Sequence, residues 1–268
     1  MSYLGLLPIS LVLLAAINFG ISYIIAVMRD DVRAVFPYIS DTGSKRPESC
    51  VFGQLLNIVG FLAFWTMYIR YKAVQAISHT TLSDDRKLNW LNKISLFLGL
   101  VSAFGTSIVA NFQEGTVVEG VHIFGAIMTF IAGVLYCLLQ TVLSYHMYPS
   151  YNGLYICRIR LGISVTAAVS LIMTILSAVY AFRAWNSIAH SKSKFKWAPD
   201  DVGYTAHIVS TVGEWFTALT FLFYFFTFVQ EFDKFDMEIR TRPLVHHLDQ
   251  ILDRNLRVEV NERSGLLS

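Results

Sequence analysis

The sequence predicts an all-α fold: a polytopic membrane protein built as a six-helix transmembrane bundle with both termini in the cytosol. Three observations support this fold class. Of the 268 residues, 54% are hydrophobic and only 15% are charged, and the mean hydropathy of +0.51 lies far above that of a soluble domain. Six stretches reach the length of about 20 apolar residues that a bilayer requires. Lysine and arginine are distributed unevenly between the connecting loops.

The six predicted spans are roughly 7–28, 51–69, 94–110, 118–143, 160–182 and 204–229, and a tail, 230–268, follows them. The first span is interpreted as a retained helix rather than a cleaved signal peptide, because it lacks a basic n-region and is longer than the usual apolar core. The third is the shortest and most polar. The loops on the N-terminal side carry more lysine and arginine than the opposite loops, which places both termini inside.

Small and polar residues recur on one face of several spans, as on the contact faces of membrane helices. Span four carries the longest stripe, at steps of three and four: His122, Ala126, Thr129, Gly133, Tyr136 and Gln140. Spans one to three carry shorter stripes: Ala15, Asn18 and Ser22; Gly53, Asn57 and Gly60; Ser95, Gly99, Ser102 and Thr106. A bundle around an aqueous pore would also turn polar residues inward, but the interleaved glycine and alanine favour close packing.

Polar side chains inside a membrane are functional candidates, because burying them is costly. The intramembrane candidates are Asn57, Asn111, His122, Gln140, His207 and Glu214. Glu214 is the one acid predicted at membrane depth, and it shares a helix face with His207. Two interpretations remain open. Either His122, His207 and Glu214 form a proton-sensing or ion-binding cluster, or each side chain hydrogen-bonds a neighbouring helix.

The loop between the first two spans contains Asp41-Thr42-Gly43, the tripeptide of aspartic proteases. Those enzymes need two facing carboxylates on a β scaffold, whereas this sequence has no second Asp-Thr-Gly and no aspartate inside any span. It also lacks the serine-hydrolase, zincin, P-loop and Cys-x-x-Cys motifs. The sequence therefore predicts a protein that is not an enzyme, with no catalytic, cofactor-binding or metal-binding residues and no nucleic-acid partner.

The same loop is interpreted as an ordered cap on the bundle. Pro37 restricts the chain, and the Asp-Thr-Gly-Ser run offers an Asx turn in which Gly43 is free to take a positive φ. Pro47 leads into span two. The other outer loop, which contains Trp197, is expected to lie beside this one.

The tail carries two patterns. Leu244, Leu248 and Ile251 recur at helical spacing, which predicts an amphipathic helix. Near the C-terminus, Glu262 precedes Leu266-Leu267 at the spacing of the acidic dileucine signals that clathrin adaptors read for endosomal and lysosomal delivery. The predicted partners are therefore the lipid bilayer and a clathrin adaptor.

Several short motifs in order resemble the DNA-damage-regulated autophagy modulator (DRAM) family, within the Frag1/DRAM/Sfk1 group. They are "PYISDTG" at 37–43, "PESC" at 47–50, "RY" at 70–71, "LNK" at 91–93, "SIVANFQ" at 107–113, "QTVLSYHM" at 140–147, "GY" at 203–204 and "EW" at 214–215. The family-motif residues of the outer loop, expected to be lumenal, are Pro37, Tyr38, Asp41, Thr42, Gly43, Pro47 and Cys50. Apart from its dileucine ending, the tail shows no comparable likeness.

The resemblance implies a non-enzymatic lysosomal or endosomal membrane protein that promotes autophagy and works with autophagy machinery. A second hypothesis is a plasma-membrane organiser of phosphoinositide kinases and lipids, similar to the Sfk1 and TMEM150 branches, with lipid-kinase machinery as partner. A third is a proton-linked transporter that uses Glu214, His207 and His122.

Overall fold

The computed structural model describes residues 3–81, 85–188 and 193–238, and this part of the chain is helical without any strand. Its elements are α1 (Leu6–Met28), a 3-10 turn (Asp41–Gly43), α2 (Glu48–Thr81), α3 (Arg86–Asn111), α4 (Glu119–His146), α5 (Leu154–Asn186), α6 (Tyr204–Phe226) and the one-turn α7 (Val229–Phe232). Six helices in these ranges are long and apolar enough to cross a membrane, with α6 counted through Phe232. The predicted all-α, six-span architecture is confirmed.

Several helices extend well beyond the apolar stretches that the sequence identifies. Helix α2 has 34 residues, which corresponds to about 51 Å at 1.5 Å per residue and exceeds the ~30 Å of a bilayer core. Helix α3 begins where Asp85 caps it, since its Oδ1 accepts from the N–H groups of Lys87 at 2.8 Å and Leu88 at 3.0 Å. Charged residues beside the apolar stretches are therefore helical rather than part of loops.

The start of α1 and the end of α7 lie at the same end of the bundle. A Cβ on Gly5 would overlap the carboxylate of Asp233, so these two positions are in close contact. This end is called the tail end below. The opposite end, where α1 stops and the 29–47 loop leads into α2, is called the loop end. All the helices belong to a compact unit that extends to Asp236, and a second unit begins at Met237.

Helices α2, α3 and α4 pack closely, as their stripes of small residues predict. A Cβ on Gly53 would lie 2.5 Å from the carbonyl oxygen of Ala110, and one on Gly105 would lie 2.7 Å from that of Gly125. Helix α5 differs, because only 11% of its most apolar window is buried. Near the loop end, α4 and α5 leave a cavity between them, so close packing does not hold throughout the bundle.

The predicted amphipathic helix in the tail and the dileucine signal of Glu262, Leu266 and Leu267 lie outside the described residues.

Candidate functional site at the loop end

The segment that carries the "PYISDTG" motif is fastened to α6 by three hydrogen bonds. The indole Nε1 of Trp215 donates to the carbonyl of Pro37 at 2.9 Å. The main-chain N–H of Ile39 donates to Glu214 Oε2 at 2.8 Å. The hydroxyls of Tyr38 and Ser210 also bond to each other. Two motifs that the sequence separates by about 175 positions, "PYISDTG" and "EW", are thus in direct contact.

The tripeptide Asp41-Thr42-Gly43 forms the 3-10 turn and is buried throughout. Thr42 Oγ1 donates to the carbonyl of Ile39 at 2.7 Å, and Ser44 Oγ donates to that of Asp41 at 2.7 Å. The expectation that Gly43 uses its freedom to adopt a positive φ is wrong, because Gly43 is absent from the positive-φ glycines of the described chain. Glycine is needed there for space instead, since a Cβ would overlap the ring of Phe52.

The two outer loops meet over His207, as the sequence predicts for the Trp197 loop. The indole of Trp197 stacks on the imidazole with ring centroids 4.5 Å apart, and the ring of Tyr38 meets the same imidazole edge-on at 5.3 Å. On the surface, Lys196 Nζ donates to Asp30 Oδ2 at 2.7 Å. His207 is therefore enclosed between aromatic rings from both loops.

His122, at the start of α4, is held by the chain segment just before it. Its Nδ1 lies 2.6 Å from the carbonyl of Phe112, and its Nε2 lies 3.2 Å from Glu114 Oε2. Lys194 bridges Glu114 at 3.1 Å and Glu119 at 2.5 Å. Burial alone would lower the pKa of Lys194, but these two carboxylates outweigh that effect and raise it.

These groups surround one cavity of about 510 Å³ at the loop end, between α4, α5 and the loops. Five predicted residues line it: Tyr38, Asp41, His122, His207 and Glu214. A smaller cavity of about 130 Å³ in the middle of the bundle is also lined by His122 and Glu214. The structure thus brings together the three ionisable candidates and the family-motif loop, which the sequence could list only separately.

Asp41, the acid of the Asp-Thr-Gly tripeptide, is buried. Burial, followed by the nearby carboxylates of Glu114 and Glu214, raises its pKa well above the usual range. Asp41 lines the cavity, and the charge of Lys194 and the main chain of Tyr38 favour its charged form without outweighing burial. In the described part of the chain, no group of three or more His, Cys, Asp or Glu residues is arranged to hold a metal ion.

The remaining predicted residues lie away from the cavity. Asn57 and Asn111 exchange hydrogen bonds of 3.2 and 3.1 Å and tie α2 to α3. Pro47 precedes α2, and its carbonyl accepts from the N–H of Cys50 at 3.0 Å, in the first turn. Cys50 is an exposed free thiol. Gln140 belongs to the tail end.

At the tail end, three charges that sequence reasoning assigned to loops and tail are buried in the bundle. The guanidinium groups of Arg70 in α2 and Arg160 in α5 both pair with the carboxylate of Glu231 in α7. Arg160 Nη1 lies 2.9 Å from Glu231 Oε1. Glu231 lies next to the end of the candidate span Tyr204–Phe232, so the statement that Glu214 is the one acid at membrane depth stays a prediction.

Neutral groups complete this tail-end cluster. Arg70 Nε donates to Gln140 Oε1 at 3.0 Å, and Gln140 Nε2 donates onward to Ser95 Oγ at 3.0 Å. The ring of Phe228 lies between the two guanidinium groups, 5.1 and 4.9 Å from their central carbons. The sequence signal for Arg70 is its place in the motif "RY" at 70–71, directly after the apolar stretch 51–69.

Most of the chain is similar in sequence to known proteins. A sequence model described as the Frag1/DRAM/Sfk1/Cwh43P N-terminal domain matches residues 3–235. DNA damage-regulated autophagy modulator protein 2 of Bos taurus is 39% identical over 267 residues, which cover 99% of this chain and 96% of the relative. DNA damage-regulated autophagy modulator protein 1 of Homo sapiens is 40% identical over 238 residues, or 89% and 94%. No solved structure matches the chain significantly.

A more distant relative is the modulator of macroautophagy TMEM150B of Xenopus tropicalis, which is 37% identical over 171 residues, or 63% of this chain and 70% of the relative. The alignment with the Bos taurus protein spans nearly the whole chain. The family model ends at residue 235, and the expectation that the tail shows little likeness apart from the dileucine ending stays a prediction.

Proposed function

The chain belongs to the Frag1/DRAM/Sfk1 family, and we propose that it is a multi-pass membrane protein that modulates autophagy and promotes it without catalysing a reaction. The observation that carries this proposal is the near full-length similarity to relatives named autophagy modulators. The loop end supports the non-enzymatic part. Its central acid, Glu214, accepts a main-chain N–H and so fastens a loop, which is a structural task.

The proposed location is the lysosomal membrane, and the protein is proposed to pass through endosomal and plasma membranes on its way there. The dileucine signal at Leu266-Leu267 supports it. An even number of spans keeps the two termini on one side, and the positive-inside rule makes that side the cytosol. The loop end, with the cavity, would then face the lumen.

The two alternative hypotheses have less support. The similarity to the TMEM150 branch is to a protein named a modulator of macroautophagy, which favours a role in autophagy over the placement of lipid kinases. In the transporter hypothesis, His122 and Glu214 would have to exchange protons with passing substrate. Both are instead engaged by neighbouring chain, His122 by Phe112 and Glu114 and Glu214 by Ile39.

The test is autophagic flux in cells that lack the protein and are then supplied with wild type or variants. Flux is measured as the turnover of a lipidated autophagosome marker with and without an inhibitor of lysosomal degradation. We expect wild type to restore it. The doubly substituted Leu266→Ala/Leu267→Ala protein should accumulate at the cell surface and restore less.

The matched control for the tail signal is Val258→Ala/Val260→Ala, which removes two aliphatic side chains from the same tail outside the signal. It should reach lysosomes and restore flux as wild type does. If wild type fails to change flux, the autophagy proposal is wrong. If the dileucine variant reaches lysosomes normally, the sorting proposal is wrong, whatever the flux.

A further inference from the structure

The loop-end cavity has the size and position of a ligand site that opens sideways into the bilayer. Its volume of about 510 Å³ falls within the ~300–1,000 Å³ typical of small-molecule pockets. Its walls include Ile127 and Ile131 of α4 and Ile175 and Val179 of α5. These four side chains are 40–51% exposed, so the cavity reaches the outer surface of the bundle between two membrane-spanning helices. An aliphatic chain could enter there directly from the lipid.

The polar end of the same cavity carries an excess of carboxyl groups. Asp41, Glu114, Glu119 and Glu214 line it. Lys194 bridges two of them, Glu114 and Glu119, while His122 faces Glu114. The charge of Lys194 also acts on Asp41, and the remaining cationic side chain of the lining, Arg183, is exposed. Asp41 and Glu214 are left with main-chain donors.

One of these carboxyl groups, that of Glu214, borders the cavity. Glu214 is only 8% exposed. One carboxylate oxygen, Oε2, accepts the N–H of Ile39. The other, Oε1, has no hydrogen-bond donor among the described residues, although it lies in the wall of both cavities. An oxygen in that position can accept a hydrogen bond from a group that occupies the cavity.

We propose that this cavity binds a membrane amphiphile with one aliphatic chain and a cationic amine headgroup. The amine would lie between Asp41 and Glu214, where its positive charge would favour the ionised form of Asp41 over the protonated form that burial favours, and where it would donate charge-assisted hydrogen bonds. The chain would lie in the apolar groove between α4 and α5. A carboxylate or phosphate headgroup would bring a further negative charge to a site rich in carboxyl groups, and an alcohol would bring no positive charge to favour their ionised forms. The aromatic ring of Tyr38 beside the acids also favours a cation.

The experiment measures binding of radiolabelled tetradecylamine to the full-length protein in phosphatidylcholine nanodiscs, with empty nanodiscs as background. Tetradecanol and tetradecanoate are the competitors, since they share the chain and differ in the headgroup. We expect saturable binding that unlabelled tetradecylamine displaces and the other two do not. Equal competition by tetradecanol would overturn the proposal, because the headgroup would then not be recognised.

Two pairs of variants locate the site. Asp41→Asn/Glu214→Gln should weaken binding about tenfold, as expected for the loss of charge-assisted hydrogen bonds. Its control, Glu48→Gln, changes a buried carboxyl of α2 that does not line the cavity. Ala178→Phe fills the groove from α5, and its control, Val169→Phe, adds the same ring on an exposed part of that helix.

Ala178→Phe and Val169→Phe test the site without changing Asp41 or Glu214, whose replacement also affects the outer loop. Binding unchanged in Ala178→Phe, or reduced as much in Val169→Phe, would refute the proposed location. Binding of an amphiphile here does not require a role in autophagy, so a negative result leaves the proposed function standing.

Discussion

The main-chain N–H of Ile39 donates a hydrogen bond of 2.8 Å to Glu214 Oε2, and both partners are buried. This bond joins the first outer loop to the last long helix of the bundle. Glu214 therefore holds the first outer loop against α6. Its presence in an apolar helix is explained by the buried N–H of Ile39, which needs a hydrogen-bond acceptor.

The hydrogen bond between Ile39 and Glu214 predicts different losses of stability for two replacements of Glu214. Glu214→Leu leaves the buried N–H of Ile39 without an acceptor and should lower the free energy of unfolding by about 1–3 kcal/mol. Glu214→Gln keeps a carbonyl oxygen of similar reach and should cost much less. Thermal unfolding of purified protein in detergent distinguishes them. Equal melting temperatures for the two variants would show that the hydrogen bond contributes little.

Gly43 provides a test of packing in the 3-10 turn. In Gly43→Ala, the new methyl group overlaps the ring of Phe52, and overpacking of this kind typically costs about 1–3 kcal/mol. The matched control is Gly20→Ala in α1, where a Cβ meets nothing within 4 Å. Thermal unfolding should show a loss for the first variant and no loss for the second. Limited proteolysis should also cleave the 29–47 loop faster in Gly43→Ala.

Sequence reasoning recovered what depends on local pattern. The six spans follow from hydropathy, and the contact face of α2 follows from the spacing of Gly53 and Gly60. It could not recover the bond between Ile39 and Glu214, because one partner is a main-chain group 175 residues away. Side-chain identity does not encode such a pairing.

The burial of two arginines at the tail end could not be predicted from the sequence, for a physical reason. Arginine beside an apolar stretch usually marks the membrane surface, and Arg70 directly follows the predicted span 51–69 while Arg160 begins the predicted span 160–182. Both are fully buried, and their burial is compensated by Glu231, which arrives from α7 more than 70 residues after Arg160. The compensating partner is visible only once the helices are assembled.

The tail-end cluster predicts an asymmetry between its members. Two guanidinium groups share one carboxylate, so Glu231→Gln leaves two buried cations without a counter-charge and should cost about 3–5 kcal/mol. Arg160→Met leaves the pair of Arg70 and Glu231 intact and should cost less. Chemical or thermal unfolding in detergent measures both, with the exposed Lys93→Ala as a control that should match wild type. A larger loss for Arg160→Met than for Glu231→Gln would contradict this account of the cluster.

Asp41 predicts how stability at the loop end depends on pH. Burial, and then the charges of Glu114 and Glu214, raise its pKa well above the ordinary value of 3.8. Below that value Asp41 is neutral in both states, and its contribution to stability is fully present. As the pH rises towards the higher folded-state pKa, the unfolded chain releases the proton while the folded protein keeps it, so the free energy of unfolding falls.

Asp41→Asn removes that titration, so the difference in melting temperature between wild type and variant should change least at the acid end of the range and widen as the pH rises. Thermal unfolding in detergent, followed from roughly pH 4.5 to 8, should show wild type losing stability relative to Asp41→Asn. The exposed Asp200→Asn, in the other outer loop, should run parallel to wild type. A constant difference between wild type and Asp41→Asn across this range would mean that Asp41 does not titrate there. The predicted slope makes the folded loop end more stable at acidic than at neutral pH.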